Sequence, residues 1–152
     1  MALTVSTFPP SAADDCEAIL RALPKWFGIE EAIVDYRREI EKNPTIGAFD
    51  DDKLVGFLTL KHHNRFSSEI YVMGVLEEYH RRGIGRALVE HAEEELRTLG
   101  VEYFQVKTLG PSRENEEYAR TRKFYEALGF RALEETNLWG ETNPCLMMVK
   151  RL

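Results

Sequence analysis

Long apolar runs are absent from this sequence. No stretch reaches the roughly 18 apolar residues that a membrane-spanning helix requires. The first ten residues, MALTVSTFPP, contain no basic segment followed by an apolar one, so we expect no secretory signal. The sequence therefore predicts no membrane partner and favours a cytoplasmic protein.

Cysteine is scarce as well. Only Cys16 and Cys145 are present, and their spacing matches neither a metal-binding motif nor a CxxC redox motif. A chain of 152 residues needs no disulfide to build a stable core. We therefore expect two buried, reduced thiols, as in cytoplasmic proteins, and no metal site.

Positive charge is in deficit. The chain has 20 Lys and Arg against 26 Asp and Glu, which gives a net charge of -6. This balance argues against nucleic acid as a partner, because such proteins carry basic surfaces, and it favours a cationic or neutral partner. The hydrophobic fraction of 43% is that of an ordinary folded protein, and the length predicts one domain over residues 1–152.

Hydrophobic periodicity predicts an alternation of strands and helices. Strands are expected at 3–8, 45–49, 53–63, 68–76, 101–109, 130–139 and 144–152. Helices are expected from an N-cap at Ser11 to Pro24, and at 29–44, 83–100 and 118–129. The strand, helix and strand between residues 68 and 109 predict a parallel pair with a right-handed crossover, whereas the flanking hairpins predict antiparallel pairing.

A turn rich in glycine and arginine precedes the third predicted helix, within EEYHRRGIGRALVEH at residues 77–91. The first amides of a helix have no backbone partner, and together with the positive end of the helix dipole they favour an anion. Gly83 and Gly85 have no side chain to keep an anion from the backbone. Arg81, Arg82 and Arg86 add charged donors. The turn therefore predicts a phosphate-bearing ligand.

Two other phosphate-binding motifs do not fit this turn. A P-loop requires a GK[ST] ending, which the chain lacks. A dinucleotide fingerprint requires a third glycine at position 88, where this chain has Leu88. A surface turn with solvated arginines is the remaining alternative, and the three arginines beside a helix start favour the anion site over it.

The segment HRRGIGRALV, after EIYVMGV, resembles the acetyl-CoA-binding motif of the GNAT superfamily of N-acetyltransferases, Q/R-x-x-G-x-G/A. Gly83 and Gly85 match this motif, and His80 departs from it at the first position. The segment RKFYEALGF resembles a second signature of the superfamily, F-Y-x-x-x-G-F. It is matched by Phe124, Tyr125, Gly129 and Phe130. The order of predicted elements agrees with the superfamily over nearly the whole chain.

The resemblance implies an α/β (α+β) fold with a mixed, mostly antiparallel sheet of six to seven strands, a central parallel pair and about four helices. It implies acetyl-CoA as co-substrate and no metal. The CoA pyrophosphate would be held by backbone amides of Arg81, Arg82, Gly83, Ile84, Gly85 and Arg86. The pantetheine amides would pair with Met73, Gly74 and Val75, where the sheet would splay to admit the thioester.

The implied reaction is direct transfer of an acetyl group to a primary amine, which a base must first deprotonate. Tyr125 is the candidate general acid for the departing thiolate, and Phe124 is interpreted as a core residue. Glu69 is the candidate general base, since burial would raise its pKa toward a useful value. A solvated strand-edge glutamate is the alternative, and His62 and His63 are rival bases.

The acceptor side is less specified. Trp26, Phe27 and Gly28 fall where the superfamily builds its acceptor pocket, although a Trp-Phe pair can equally cap the core. Arg120 and Arg122 would reach CoA phosphates or, as an alternative, form a solvated helix face. Candidate acceptors are a small amine, an amino sugar, or a protein lysine or N-terminus. A non-catalytic acyl-CoA-binding module and an unrelated nucleotide-phosphate binder remain alternatives, and a homodimer is an expectation from the resemblance.

Overall fold

The structure, a computed structural model, describes residues 3–8 and 12–152. Its elements follow the predicted order. The strands are β1 Leu3–Phe8, β2 Thr45–Asp50, β3 Lys53–Asn64, β4 Ser67–Val75, β5 Tyr103–Leu109, β6 Arg131–Thr136 and β7 Cys145–Arg151. The helices are α1 Ala13–Arg21, α2 Glu30–Ile40, α3 Ile84–Thr98 and α4 Glu116–Ala127, with a 3₁₀ turn at Glu77–Tyr79. The predicted cap at Ser11 lies outside the described residues.

The ends of some helices and strands differ from the predicted ones. Helix α1 ends at Arg21, ahead of Pro24, because the residues before a proline avoid helical geometry. Helix α4 begins two residues earlier than predicted, at Glu116, since the side chain of Asn115 accepts a hydrogen bond from the Tyr118 amide at 3.0 Å. Strand β6 ends at Thr136 instead of 139, where the chain turns toward the hairpin loop.

The strands form one seven-stranded sheet in the order β1-β2-β3-β4-β5-β7-β6. Strands β4 and β5 are parallel, and the other neighbouring pairs are antiparallel. This confirms the predicted mixed sheet with a central parallel pair and four helices. Within residues 3–8 and 12–152, no helix is both long enough and apolar enough to cross a membrane.

Helices cover both faces of the sheet. On one face, α3 and α4 pack in a core that includes Leu58 and Val106. On the other, α1 and α2 pack over Phe57 and Val72. Neighbouring residues of one strand therefore enter different cores, which explains why the centre of β3, at 55–60, is buried throughout instead of alternating with polar residues.

A buried ion pair joins three elements at one end of the first core. Lys150 Nζ on β7 donates to Glu93 Oε2 on α3 at 2.6 Å and to the backbone carbonyl of Leu128, just after α4, at 2.7 Å. Glu93 is only 5% exposed. The pair holds α3 and the end of α4 against the last strand, and these two helices carry the site described next.

Candidate active site

The parallel pair separates partway along its length. Strand β4 pairs with β5 from Ser67 to Ile70, against Tyr103 to Val106, and the pairing ends there. Beyond this point β5 continues against β7, while β4 stays with β3. The edge of β4 from residue 71 to 75 consequently faces a cleft of 780 Å³ between the two strands. An exposed strand edge offers amide and carbonyl groups to an extended ligand.

The glycine-arginine turn closes one end of this cleft. Arg81 (φ 65°) and Gly83 (φ 77°) both adopt left-handed backbone conformations, and α3 begins directly afterwards at Ile84. The amides of the first turn of α3 have no acceptor within the helix. His80 fixes the turn, because its Nε2–H donates to the carbonyl of Val75 at 2.7 Å and its ring lies 5.6 Å from that of Trp26. The residue that departs from the motif therefore positions the turn.

The three arginines of the turn do not act alike. Arg81 and Arg86 line the cleft, together with Gly83, Ile84 and Gly85. The guanidinium of Arg82 instead lies 5.2 Å over the ring of Tyr79, in a cation–π contact. The cleft end thus combines a helix N-terminus with two cationic side chains, an arrangement suited to a phosphate group.

Gly83 and Gly85 differ in what surrounds them. A Cβ on Gly83 would meet no atom within 4 Å, so the turn is open at this point. A Cβ on Gly85 would lie 3.0 Å from the ring of Phe124 on α4. Gly85 therefore allows α4 to pack closely on α3, whereas Gly83 supplies the left-handed turn.

The variant Gly85→Ala should be coupled to Phe124. We expect it to lower the free energy of unfolding by about 1–3 kcal/mol, the usual cost of overpacking, and Phe124→Leu, which removes the ring, to recover most of that loss. Gly83→Ala is the matched control, since its cost of roughly 1–2 kcal/mol comes from a left-handed alanine and should be unaffected by Phe124→Leu. Denaturant unfolding of the single and double variants measures both couplings, and equal coupling for the two glycines would contradict this packing role.

Tyr125 lies at the base of the cleft. It is 5% exposed and lines the cleft, with its ring 5.3 Å from Phe124 and 5.6 Å from Phe130. Burial raises the pKa of its phenol, so the hydroxyl stays protonated at neutral pH. Phe124, predicted as a core residue, is half-buried: it packs against this core and also lines the cleft beside Gly85, whereas Tyr125 is itself a buried member of the core.

Glu69 is buried, at 4% exposure, and both of its carboxylate oxygens are engaged. Oε2 accepts from Lys107 Nζ at 3.0 Å, and Oε1 accepts from His63 Nε2 at 2.7 Å. Lys107 lines the cleft, but Glu69 is not among the described residues that do. The solvated-edge interpretation of Glu69 therefore does not hold, and the carboxylate lies behind Lys107.

The two rival histidines are separated by the sheet. Strand β3 continues through both, as far as Asn64, and carries a bulge between His62 and Asn64. His63 reaches Glu69, on the face covered by α2, whereas His62 Nδ1 lies 2.7 Å from Ser68 Oγ. His63 and Glu69, predicted as alternatives, are thus members of one hydrogen-bonded group with Lys107.

Aromatic side chains line the wall of the cleft toward α1 and α2, a region called the aromatic end, and one of them, Trp26, also contacts His80 of the turn. Those lining this wall are Trp26, Phe27, Tyr36, Tyr71, Tyr118 and Trp139. Tyr36 lies 5.8 Å from Phe27 and 5.8 Å from Tyr71, ring centre to ring centre. Tyr118 Oη donates to the carbonyl of Trp26 at 2.6 Å, which links α4 to the segment between α1 and α2. Trp26 and Phe27 are therefore in the cleft as the acceptor hypothesis requires, while Gly28 is not among its described lining residues.

The two arginines of α4 have different surroundings. Arg120 lines the cleft and also pairs with Glu116 at 3.5 Å on the exposed helix face. Arg122 Nη1 donates to the carbonyl of Leu109 at 2.6 Å, which fastens α4 to the end of β5. Across residues 3–8 and 12–152, no three His, Cys, Asp or Glu side chains are arranged to hold a metal ion.

Known proteins resemble this chain in sequence. The model of the acetyltransferase (GNAT) family matches residues 14–130. A mycothiol acetyltransferase from Beutenbergia cavernae is 38% identical over 80 residues, which are 53% of this chain and 25% of that protein. The match thus spans about a quarter of the length of this relative.

Solved structures share the fold. A protein from Desulfovibrio desulfuricans, described as an acetyltransferase of the GNAT family, superposes with a TM-score of 0.84, at 18% identity, over 99% of both chains. The PaiA N-acetyltransferase from Thermoplasma acidophilum, solved in complex with coenzyme A, has a TM-score of 0.77 at 20% identity over 100% of both chains. At these identities the likeness concerns the fold.

Proposed function

Because the chain belongs to the acetyltransferase (GNAT) family, we propose that it transfers the acetyl group of acetyl-CoA directly to a primary amine within a ternary complex. The observation that carries this proposal is the continuity of the cleft. One cavity joins the anion-binding turn, the free edge of β4, the phenol of Tyr125 and the aromatic end. Donor, acceptor and general acid are thereby brought into contact, and such proximity supplies much of the rate.

Acetyl-CoA would lie along the cleft from the turn inward. The diphosphate is assigned to the amides between Arg81 and Arg86, where a helix N-terminus and cationic side chains meet. The pantetheine arm is assigned to the edge of β4 at Met73–Val75, which hydrogen-bonds it as an added strand does. This places the thioester where β4 and β5 part, next to Tyr125.

Tyr125 is assigned as the general acid. Its raised pKa keeps the proton available at neutral pH. No hydrogen bond joins its hydroxyl to another described residue, so the proton is free to be given to the CoA sulfur as the C–S bond breaks. The resulting tyrosinate recovers its proton from solvent.

The Glu69 group is assigned to proton removal from the acceptor. Because Lys107 stands between Glu69 and the cleft, the carboxylate acts through Lys107 or a water instead of touching the amine. His63 is about one-third exposed at its side chain, at 34%, and provides the connection from Glu69 to solvent. The three residues thus form a path along which a proton leaves the cleft.

Removal of the base should show a characteristic pH dependence. With an alkyl amine as acceptor, we expect Glu69→Gln to lower kcat/KM about 10²-fold at neutral pH. The deficit should shrink as the pH rises toward the amine pKa of about 10.4, where the acceptor loses its own proton. Glu134→Gln, the same change on the exposed strand β6, is the control. A deficit that stays constant from neutral to alkaline pH would argue against Glu69 as the base.

The acceptor is proposed to be a primary amine attached to a flat or apolar body. Six aromatic side chains line its end of the cleft. Aromatic faces attract ammonium groups and stack on planar ones. Lys107 is paired with Glu69, and the carboxylates of Glu77 and Glu117 also line the cleft. These charges suit an acceptor that carries one cationic amine.

A panel of amines tests the function. Acetyl-CoA is incubated with aliphatic, aromatic and sugar amines, and released CoA is read with a thiol reagent. Both cysteines are buried and unpaired, and burial raises the pKa of Cys16 to about 12, so the protein contributes little signal. We expect turnover with aromatic or apolar amines and thermal stabilisation by CoA but not by ATP or NAD. Absence of both would refute the proposal.

A further inference from the structure

One buried hydroxyl in the cleft has no hydrogen-bond partner. Thr108 is 3% exposed, and its Oγ1 is the single buried side-chain nitrogen or oxygen without a partner in the part of the chain that the structure describes. Leaving a buried hydroxyl unsatisfied costs about 1–3 kcal/mol. Thr108 also lines the cleft, so a ligand in the cleft is able to supply the missing partner.

The register of the sheet shows where this hydroxyl lies. Thr108 follows Val106, the last residue of β5 that pairs with β4, by two positions. It is therefore level with the beginning of the free edge of β4, just before the Met73–Val75 stretch assigned to pantetheine. This is the position assigned to the thioester.

Alternation along β5 gives the direction of the side chain. Phe104 and Val106 point into the core that contains Tyr125. Thr108 shares their face because successive side chains of a strand point to opposite sides, whereas Lys107 points to the acceptor side. Thr108 and Tyr125 consequently approach the thioester from the same side of the sheet.

We propose that Thr108 Oγ1–H donates a hydrogen bond to the carbonyl oxygen of the acetyl thioester. This inference rests on the proposed function. Met73–Val75 are assigned to pantetheine and the phenol of Tyr125 to the sulfur. The carbonyl oxygen of the thioester lies at the level of Thr108 and has two lone pairs, so it accepts from Thr108 whether or not an amide of β4 also reaches it. This oxygen also gains negative charge during the reaction, which is where a fixed donor accelerates transfer most.

The electron flow is balanced without any covalent step at Thr108. As the amine nitrogen forms its bond to the acetyl carbon, the carbonyl π pair moves to the oxygen that Thr108 holds. The attacking nitrogen becomes positive and loses a proton to water in the cleft, along the path assigned to the Glu69 group. The carbonyl pair then returns, the C–S bond breaks, and the sulfur takes the bond pair together with the proton of Tyr125. Thr108 keeps its own proton throughout.

Thr108→Val removes the hydroxyl and preserves the shape of the side chain. We expect this variant to be at least as stable as the unsubstituted protein without ligand, since an unsatisfied buried group is lost. Its kcat should fall about 10²-fold, the effect of deleting one oxyanion donor. Thr108→Ser, which keeps the hydroxyl, should retain most of the activity.

Binding measurements separate this role from others. Calorimetry should show unchanged affinity of Thr108→Val for CoA, which has no acetyl carbonyl, and weaker affinity for acetyl-CoA. Equal weakening for both would place the hydroxyl on pantetheine and overturn the inference, as would unchanged kcat. If the unsubstituted protein binds no CoA, the proposed function fails as a whole; if it turns over normally and Thr108→Val does too, only the role of Thr108 fails.

Discussion

Replacing Tyr125 by phenylalanine should lower kcat about 10²-fold or more, the usual contribution of general acid catalysis, and leave the affinity for CoA nearly unchanged. The change removes one oxygen atom from a ring that is otherwise held by Phe124 and Phe130. Because the hydroxyl makes no hydrogen bond to a described residue, its loss should not lower the melting temperature. Steady-state kinetics with the best amine of the panel, together with CoA calorimetry, measures both effects.

Tyr118→Phe is the matched control for this experiment. It is the same chemical change on the same helix and in the same cleft, but its hydroxyl bonds to the carbonyl of Trp26. We expect it to raise KM for the amine with a smaller effect on kcat, since it loosens the aromatic end. If Tyr125→Phe kept full kcat, the acid assignment would be wrong. An unsubstituted protein that binds CoA yet acetylates nothing would instead be a non-catalytic acyl-CoA-binding module.

The variant Lys150→Met should be the most destabilising single change considered. It leaves the carboxylate of Glu93 buried with only the more distant Arg97, at 3.9 Å, for a partner. Breaking a buried ion pair by removing one member costs about 3–5 kcal/mol, which for a chain of this length corresponds to a decrease of about 10 °C in melting temperature. Thermal and urea unfolding measure the loss.

The double variant Glu93→Met with Lys150→Met tests whether the unpaired Glu93 carboxylate causes the loss of stability in Lys150→Met. Replacing both charges by apolar side chains of similar length removes the unpaired carboxylate, so we expect it to recover most of the stability. A double variant as unstable as Lys150→Met alone would show that the hydrogen bond from Lys150 to the Leu128 carbonyl matters, and not the charge of Glu93.

The order of elements and the position of the turn followed from local patterns. The helix start at Gly83 was marked by glycine and by the apolar spacing after it, and β3, buried on both faces, by its continuous apolar run. Such features depend on neighbouring residues in the chain, so a single sequence contains them. The last residue of α1 could be predicted only approximately, because Pro24 limits how far a helix extends without fixing where it ends.

The contacts within the candidate site could not be predicted from such local patterns. The link of Glu69 to His63 and Lys107 depends on a bulge in β3 and on the parallel register with β5. Tyr36 has the helical spacing of a core residue, and Trp139 follows a strand end, so neither carries a local mark of a binding site. Lys107 and Thr108 were detectable as a polar pair at the end of an apolar strand, but only the separation of β4 and β5 shows why they matter.

The gap between β4 and β5 passes through the whole thickness of the sheet. Its lining comes from both faces: Ile84, Phe124 and Tyr125 on the side of α3 and α4, and Leu23, Tyr36 and Tyr71 on the side of α1 and α2. Under the proposed function, donor and acceptor would therefore meet from opposite faces of the sheet. Only the reacting end of the acceptor would then have to enter between the strands, and the rest of that molecule would remain outside.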